Sequence, residues 1–158
     1  MSTKWLNDSE MAAWIAYIET FGDLSAALER DLVEHGLTLG DYQVLVYLAN
    51  ADDAMLRMCD LADMLQLSPS GLTRRLDGLV KSGLVMRQPS TSDGRVMMGL
   101  LTEAGRKLLD ATAPHHVASV RRHIFDHLTS EQVDAMAAIF TSISAGLAQD
   151  DTANGSAA

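Results

Sequence analysis

A mainly α fold of about six helices, with a winged helix-turn-helix at its centre and one small antiparallel β wing, is expected from three features of the sequence. The first is Ser68-Pro69. A serine oxygen can cap a helix N-terminus, and proline suits the first helical position, where no internal hydrogen bond is lost. From Leu72 the apolar residues recur at Leu76, Leu79 and Val80, one face of a helical period, while Ser70, Thr73, Arg74, Asp77 and Lys81 fall away from it. The second feature is the segment 60–66, a short helix with Leu61, Ala62 and Leu65 inward, joined to the next by a tight turn at Leu67-Ser68. The third follows Gly83, which ends the second helix. Leu84-Val85-Met86-Arg87, a polar loop with Pro89, Asp93 and Gly94, and the apolar run 96–101 after Arg95 read as a β-hairpin.

The flanking elements follow in order. A first helix is expected from about Asn7 or Asp8 to His35, ahead of Gly36. Met11, Trp14, Ile18, Phe21, Ser25, Leu28 and Leu32 follow steps of three and four, a seam of coiled-coil spacing broken by Ser25. Such a helix is roughly 40 Å long, more than a compact domain of this size needs, so part of it is expected to meet a second chain. Thr38 and Asp41 form a box-like cap for a helix with Tyr42, Leu45, Leu48 and Ala49 inward. Ala51-Asp52-Asp53-Ala54 ends it, and Leu56-Arg57-Met58 is read as a third strand of the wing sheet. After the hairpin, Thr102-Glu103 caps a helix carrying Leu108 and Leu109. Pro114 is expected to kink or break that helix, because its ring clashes with the carbonyl four residues back and it donates no hydrogen bond. Resumption through 115–127 is expected. Thr129 and Gln132 then cap a last helix whose Val133, Met136, Phe140, Ile143 and Leu147 form a second seam. Residues 148–158 are small or polar and are expected to be a disordered tail.

Composition bounds the function. The 158 residues, 47% of them hydrophobic, suffice for one domain with a buried core. No apolar run approaches the roughly 18 residues of a membrane span, and the N-terminus lacks a basic region followed by an apolar one. A cytoplasmic protein without a membrane partner is expected. The single cysteine, Cys59, excludes an internal disulfide framework and fits a reducing compartment. A net charge of -9 argues against a nucleic-acid partner until its distribution is considered. Between Arg57 and Lys107 eight basic residues stand against five acidic ones, a local +3 that leaves -12 for the remainder. That asymmetry is the footprint of a basic DNA-binding face on an acidic body. An enzymatic reading finds no Gly-x-Ser-x-Gly elbow, no phosphate loop and no His-Glu-x-x-His.

Taken together, Leu61-Ala62, the run 67–74 (LSPSGLTR), the run 79–85 (LVKSGLV), Asp93-Gly94-Arg95 and the run 101–105 (LTEAG) resemble the MarR family of dimeric transcription regulators, over roughly residues 11–147. The resemblance implies a winged-helix regulator over 1–147, with 1–36 and 103–147 as dimerisation helices and 38–101 as the DNA-binding lobe. It implies double-stranded DNA, a second copy of the chain and a small-molecule effector as partners, and no cofactor. The DNA-binding residues expected are Ser68, Ser70, Thr73, Arg74, Arg75, Lys81, Arg87, Asp93 and Arg95. Arg95 would enter a minor groove, whose negative potential favours a guanidinium. Arg75 would brace the wing through Asp93. Gly94 departs from the family pattern, which commonly has a second basic residue there.

Other residues keep two readings. Trp14, Tyr17 and His115 could line an effector pocket, although Trp14 lies in the apolar seam and equally suits an interface. Cys59 could make the protein a redox-sensing regulator, or be a partly buried structural thiol. His123 and His127 lie four apart, but no cysteine or carboxylate cluster completes a metal site, and none is expected. A winged-helix protein-interaction module that has lost operator binding is the remaining alternative.

Overall fold

The Asn7 side chain accepts from the Glu10 amide at 2.9 Å while Glu10 reaches back to the Asn7 amide at 2.8 Å, and this reciprocal cap starts helix α1 (Asp8–Val33). The computed structural model describes residues 3–155. Helix α1 ends at Val33 rather than His35, because a turn through Gly36 returns the Leu37 amide to the Leu32 carbonyl. Thr38 and Asp41 make the expected reciprocal cap for α2 (Leu39–Asn50). Tyr42, Leu45 and Leu48 are buried, and so is Val44, which the sequence pattern leaves out, while Ala49 is half-buried.

A short 3-10 turn (Asp52–Ala54) leads to strand β1 (Met55–Arg57). The third strand is therefore real, but one residue earlier than expected, because Met58 already begins helix α3 (Met58–Met64). The turn to α4 (Pro69–Lys81) places Gln66 in the left-handed region at φ 53°, and the Leu67 amide bonds back to the Ala62 carbonyl at 2.9 Å. The Ser68 oxygen accepts from the Gly71 amide at 3.1 Å, the cap expected of it. Leu72, Leu76 and Leu79 join Leu61, Ala62 and the α2 residues in one core. Val80 stays 37% exposed, because it lies at the edge of the stripe those three leucines define. Gly83, at φ 71°, terminates α4 and lets the Leu84 amide reach the Leu79 carbonyl.

Strands β2 (Val85–Pro89) and β3 (Met97–Leu101) form the wing, and β1 adds to the far side of β3, giving the antiparallel order β1-β3-β2. Val85 pairs with Leu101 and Arg87 with Gly99. Helix α5 (Glu103–His123) is locked to the end of α4 by Thr102, whose hydroxyl donates to the Gly83 carbonyl at 2.7 Å and accepts from the Gly105 amide. The break that was one expectation at Pro114 does not occur, and the helix runs on through it. The carbonyl that proline crowds belongs to Asp110, and both residues are exposed, so water can serve that group while Leu109, Thr112 and Ser119 anchor the other face. The buried Ser119 hydroxyl donates to the Asp31 carboxylate.

After a 3-10 turn (Phe125–His127), Thr129 and Gln132 cap α6 (Ser130–Gly155). Its helix continues past position 147, where a tail was expected. Positions 156–158 of that tail lie outside the described residues. The chain divides into two compact units, Met1–Ser119 and Val120–Ala158.

Candidate nucleic-acid interface

Four of the eight basic residues in the 57–107 segment are already engaged. Arg75 lies 3.8 Å from Asp41 and 3.5 Å from the Thr38 hydroxyl, across the first turn of α2. Gly40 makes that possible, since a Cβ there would fall 1.8 Å from the Arg75 guanidinium. Arg75 therefore ties α4 to α2 and not, as the family resemblance implies, to Asp93 of the wing. Arg87 pairs with Asp77 at 2.8 Å and donates to the Thr73 carbonyl at 2.8 Å. Arg106 donates to the Ala49 carbonyl at 3.1 Å, closing the C-terminal end of α2, and Lys107 pairs with Glu103 one turn away.

The other four, Arg57, Arg74, Lys81 and Arg95, are exposed and make no side-chain hydrogen bond or ion pair among the described residues. Arg74 and Lys81 are on α4, and Arg95 is at the end of the wing loop. The loop is organised by Asp93, whose carboxylate accepts from the Arg95 amide at 3.0 Å, an Asx-type turn. Gly94 needs no glycine conformation, and among the described residues nothing lies within 4 Å of where its Cβ would be. At the start of α4, Ser68 and Ser70 are exposed, with their hydroxyls 3.2 Å apart. The Thr73 hydroxyl turns back onto the Pro69 carbonyl at 2.9 Å, leaving its exposed methyl free. A shallow depression lined by Thr38, Asp41, Leu67, Gly71, Arg74 and Arg75 joins the N-terminal turns of α2 and α4.

A second, apolar cleft of about 200 Å³ lies on the other side of α2, lined by Leu39, Tyr42, Gln43, Val46, Tyr47 and His116. Trp14, Tyr17 and His115 are not among its residues. Trp14 and Tyr17 instead stack with ring centroids 5.9 Å apart on the exposed face of α1, and His115 packs against His35. His116 meets Tyr42 at 4.4 Å, and its Nδ1 is buried without a hydrogen-bond partner among the described residues. Burial lowers the His116 pKa below the ordinary 6.5, with the Asp31 carboxylate opposing the shift. The unfolded chain therefore takes up a proton that the folded chain resists, so stability falls as pH drops below 6.5 and through the folded pKa. Thermal unfolding between about pH 7 and about pH 5 should show this slope, and His116→Gln should flatten it. An unchanged slope would assign the acid sensitivity elsewhere. Among the described residues no group of three or more His, Cys, Asp or Glu side chains could hold a metal, and His123 stands beside Arg122.

A capped recognition helix, a wing carrying an unengaged arginine and a local excess of cations together define a winged-helix DNA-binding protein. The sequence model of the MarR family matches residues 35–96. AbsC, a MarR family transcriptional regulator from Streptomyces coelicolor, is 38% identical and superposes with a TM-score of 0.87 over 92% of this chain and 98% of its own. Sco3205, a regulator of the same family and organism solved in complex with DNA, is 35% identical, with a TM-score of 0.88 over 92% of both chains. The repressor YetL of Bacillus subtilis is 27% identical over 111 residues, 70% of this chain and 66% of its own. The protein belongs to the MarR family, a family of transcriptional regulators rather than enzymes. Among the described residues no helix is long and apolar enough to cross a membrane.

Proposed function

We propose that the protein is a cytoplasmic homodimeric repressor that binds a pseudo-palindromic operator and releases it on binding a small-molecule effector. The observation that carries this reading is the exposed apolar face of α1, where Met11, Trp14, Ile15, Ile18 and Phe21 all remain in water in the single chain. An uninterrupted apolar surface of this kind marks an interaction site. Helix α6 carries a comparable exposed stripe of Ile139, Phe140, Ile143 and Leu147. Pairing through both helices would duplicate the winged helix and set two α4 helices about one DNA turn, roughly 10 bp, apart. Ser68, Ser70, Thr73, Arg74 and Lys81 would then meet base edges and phosphates, and Arg95 the minor groove. Similarity to a named repressor supports repression over activation.

The cleft beside Tyr42 and His116 is the effector site this reading favours over one formed by Trp14, Tyr17 and His115, since it is apolar and carries a buried unpaired ring nitrogen. An effector acts only through its different affinity for the DNA-bound and released spacings. Cys59 is exposed at the start of α3 beside the Asp60 carboxylate, a placement that does not favour the redox alternative. The direct test is a gel shift with the duplex upstream of the protein's own gene, against a scrambled duplex, at low and raised salt. Salt-sensitive binding to the first duplex alone is expected. Equal or absent binding would leave only the interaction-module reading.

A further inference from the structure

We propose that Arg87 serves DNA binding as a positioning residue, bracing the wing against the middle of the recognition helix, and that tight binding therefore requires its partner Asp77, an anion on the DNA-reading helix. The proposal rests on the DNA-binding reading above. Its starting point is that Arg87 sits in β2, opposite Gly99, yet its guanidinium lies on α4. One terminal nitrogen is 2.8 Å from the Asp77 carboxylate and the other donates to the Thr73 carbonyl at 2.8 Å. Those two acceptors are four residues apart, one above the other on the same helix face. A planar guanidinium spans them with two separate N–H groups, which the single ammonium of lysine cannot reproduce. The Thr73 carbonyl has the second lone pair needed to accept this bond in addition to its helical one.

The charge of Arg87 is thereby spent inside the protein. Its side chain is only 25% exposed and its Nε is buried without a hydrogen-bond partner among the described residues, so reaching a phosphate would mean breaking both bonds. Asp77, by contrast, is 62% exposed and lies on the helix that carries Arg74 and Lys81. Long-range electrostatics alone predicts that neutralising Asp77 tightens DNA binding, because it removes a charge that repels phosphate. A brace predicts the reverse, because losing it frees the wing, and Arg95 with it, from a defined position relative to α4. The sign of one substitution therefore separates the two.

The experiment is fluorescence-anisotropy titration of a labelled duplex from upstream of the protein's own gene, at several salt concentrations, with wild type, Asp77→Asn, Arg87→Ala, Arg87→Lys and the Asp77→Asn/Arg87→Ala pair. Asp77→Asn, which preserves shape, should weaken binding roughly 2- to 150-fold, the range for coupled neighbours. Arg87→Lys should not rescue, and the pair should bind no more weakly than Arg87→Ala. Thermal unfolding of Asp77→Asn should move little, since its side chain is 62% exposed and exposed carboxylates contribute little to stability through ion pairs. Binding by Asp77→Asn as tight as wild type or tighter would overturn the brace. Failure of the wild type itself to bind overturns the regulator reading, and the brace with it.

Discussion

Glutamate at both Ile18 and Phe21 converts the proposed dimer to a monomer and lowers its affinity for an operator of two half-sites by roughly 100- to 10,000-fold, the usual gain from linked binding. Ile18 is 49% and Phe21 58% exposed in the single chain, so neither supports the protomer's own core. Their value lies in what covers them. Trp14, Tyr17 and Phe21 form a continuous run of ring contacts at 5.9 and 5.8 Å along the same helix. Burying such a surface contributes about 25 cal/mol per Å² of apolar area, and two carboxylates in the middle of it would have to be desolvated without partners. Light scattering reads the mass and anisotropy the affinity, with circular dichroism showing that the helices persist. A variant that stays dimeric at micromolar concentration would place the interface elsewhere.

Alanine at Arg95 weakens operator binding by about 1 to 3 kcal/mol and lowers the salt slope by about one, the signature of a lost cationic groove contact. The side chain is exposed and only the Arg95 backbone amide is tied, to Asp93, so the substitution leaves the loop's own bonds in place. The neighbouring position offers the complementary experiment. Gly94 has open space around it and an ordinary backbone conformation, so the departure from the family's basic residue is a matter of charge and not of turn geometry. Gly94→Lys should therefore tighten binding and raise the salt slope. Unchanged binding in Arg95→Ala would remove the wing from the interface.

Much of this fold was legible in the sequence because its punctuation is local. The cap at Thr38 with Asp41, Ser68-Pro69 and Gly83 each act within a few residues, so adjacent letters suffice to read them. The leucines of α4 and the strands of the wing follow from periodicity in the same way. Pro114 misled because a proline in a helix interior is judged by its lost bond. Here the exposed face of α5 leaves the crowded carbonyl to solvent. Val44 misled because a second stripe on α2 is buried by elements that meet it only in three dimensions.

The candidate site divides along the same line. By itself the sequence determined that a capped recognition helix and a wing would stand together within a locally basic segment, since helix starts, turns and net charge are properties of neighbouring residues. Only the tertiary structure decided which cations are available to DNA. Arg75, Arg87 and Arg106 meet Asp41, Asp77 and the Ala49 carbonyl across separate elements, whereas Arg74, Lys81 and Arg95 meet no such partner among the described residues. Arginines that look alike in sequence differ in role because a charge takes its meaning from what lies within a few ångströms, and folding sets those distances between residues far apart in the chain.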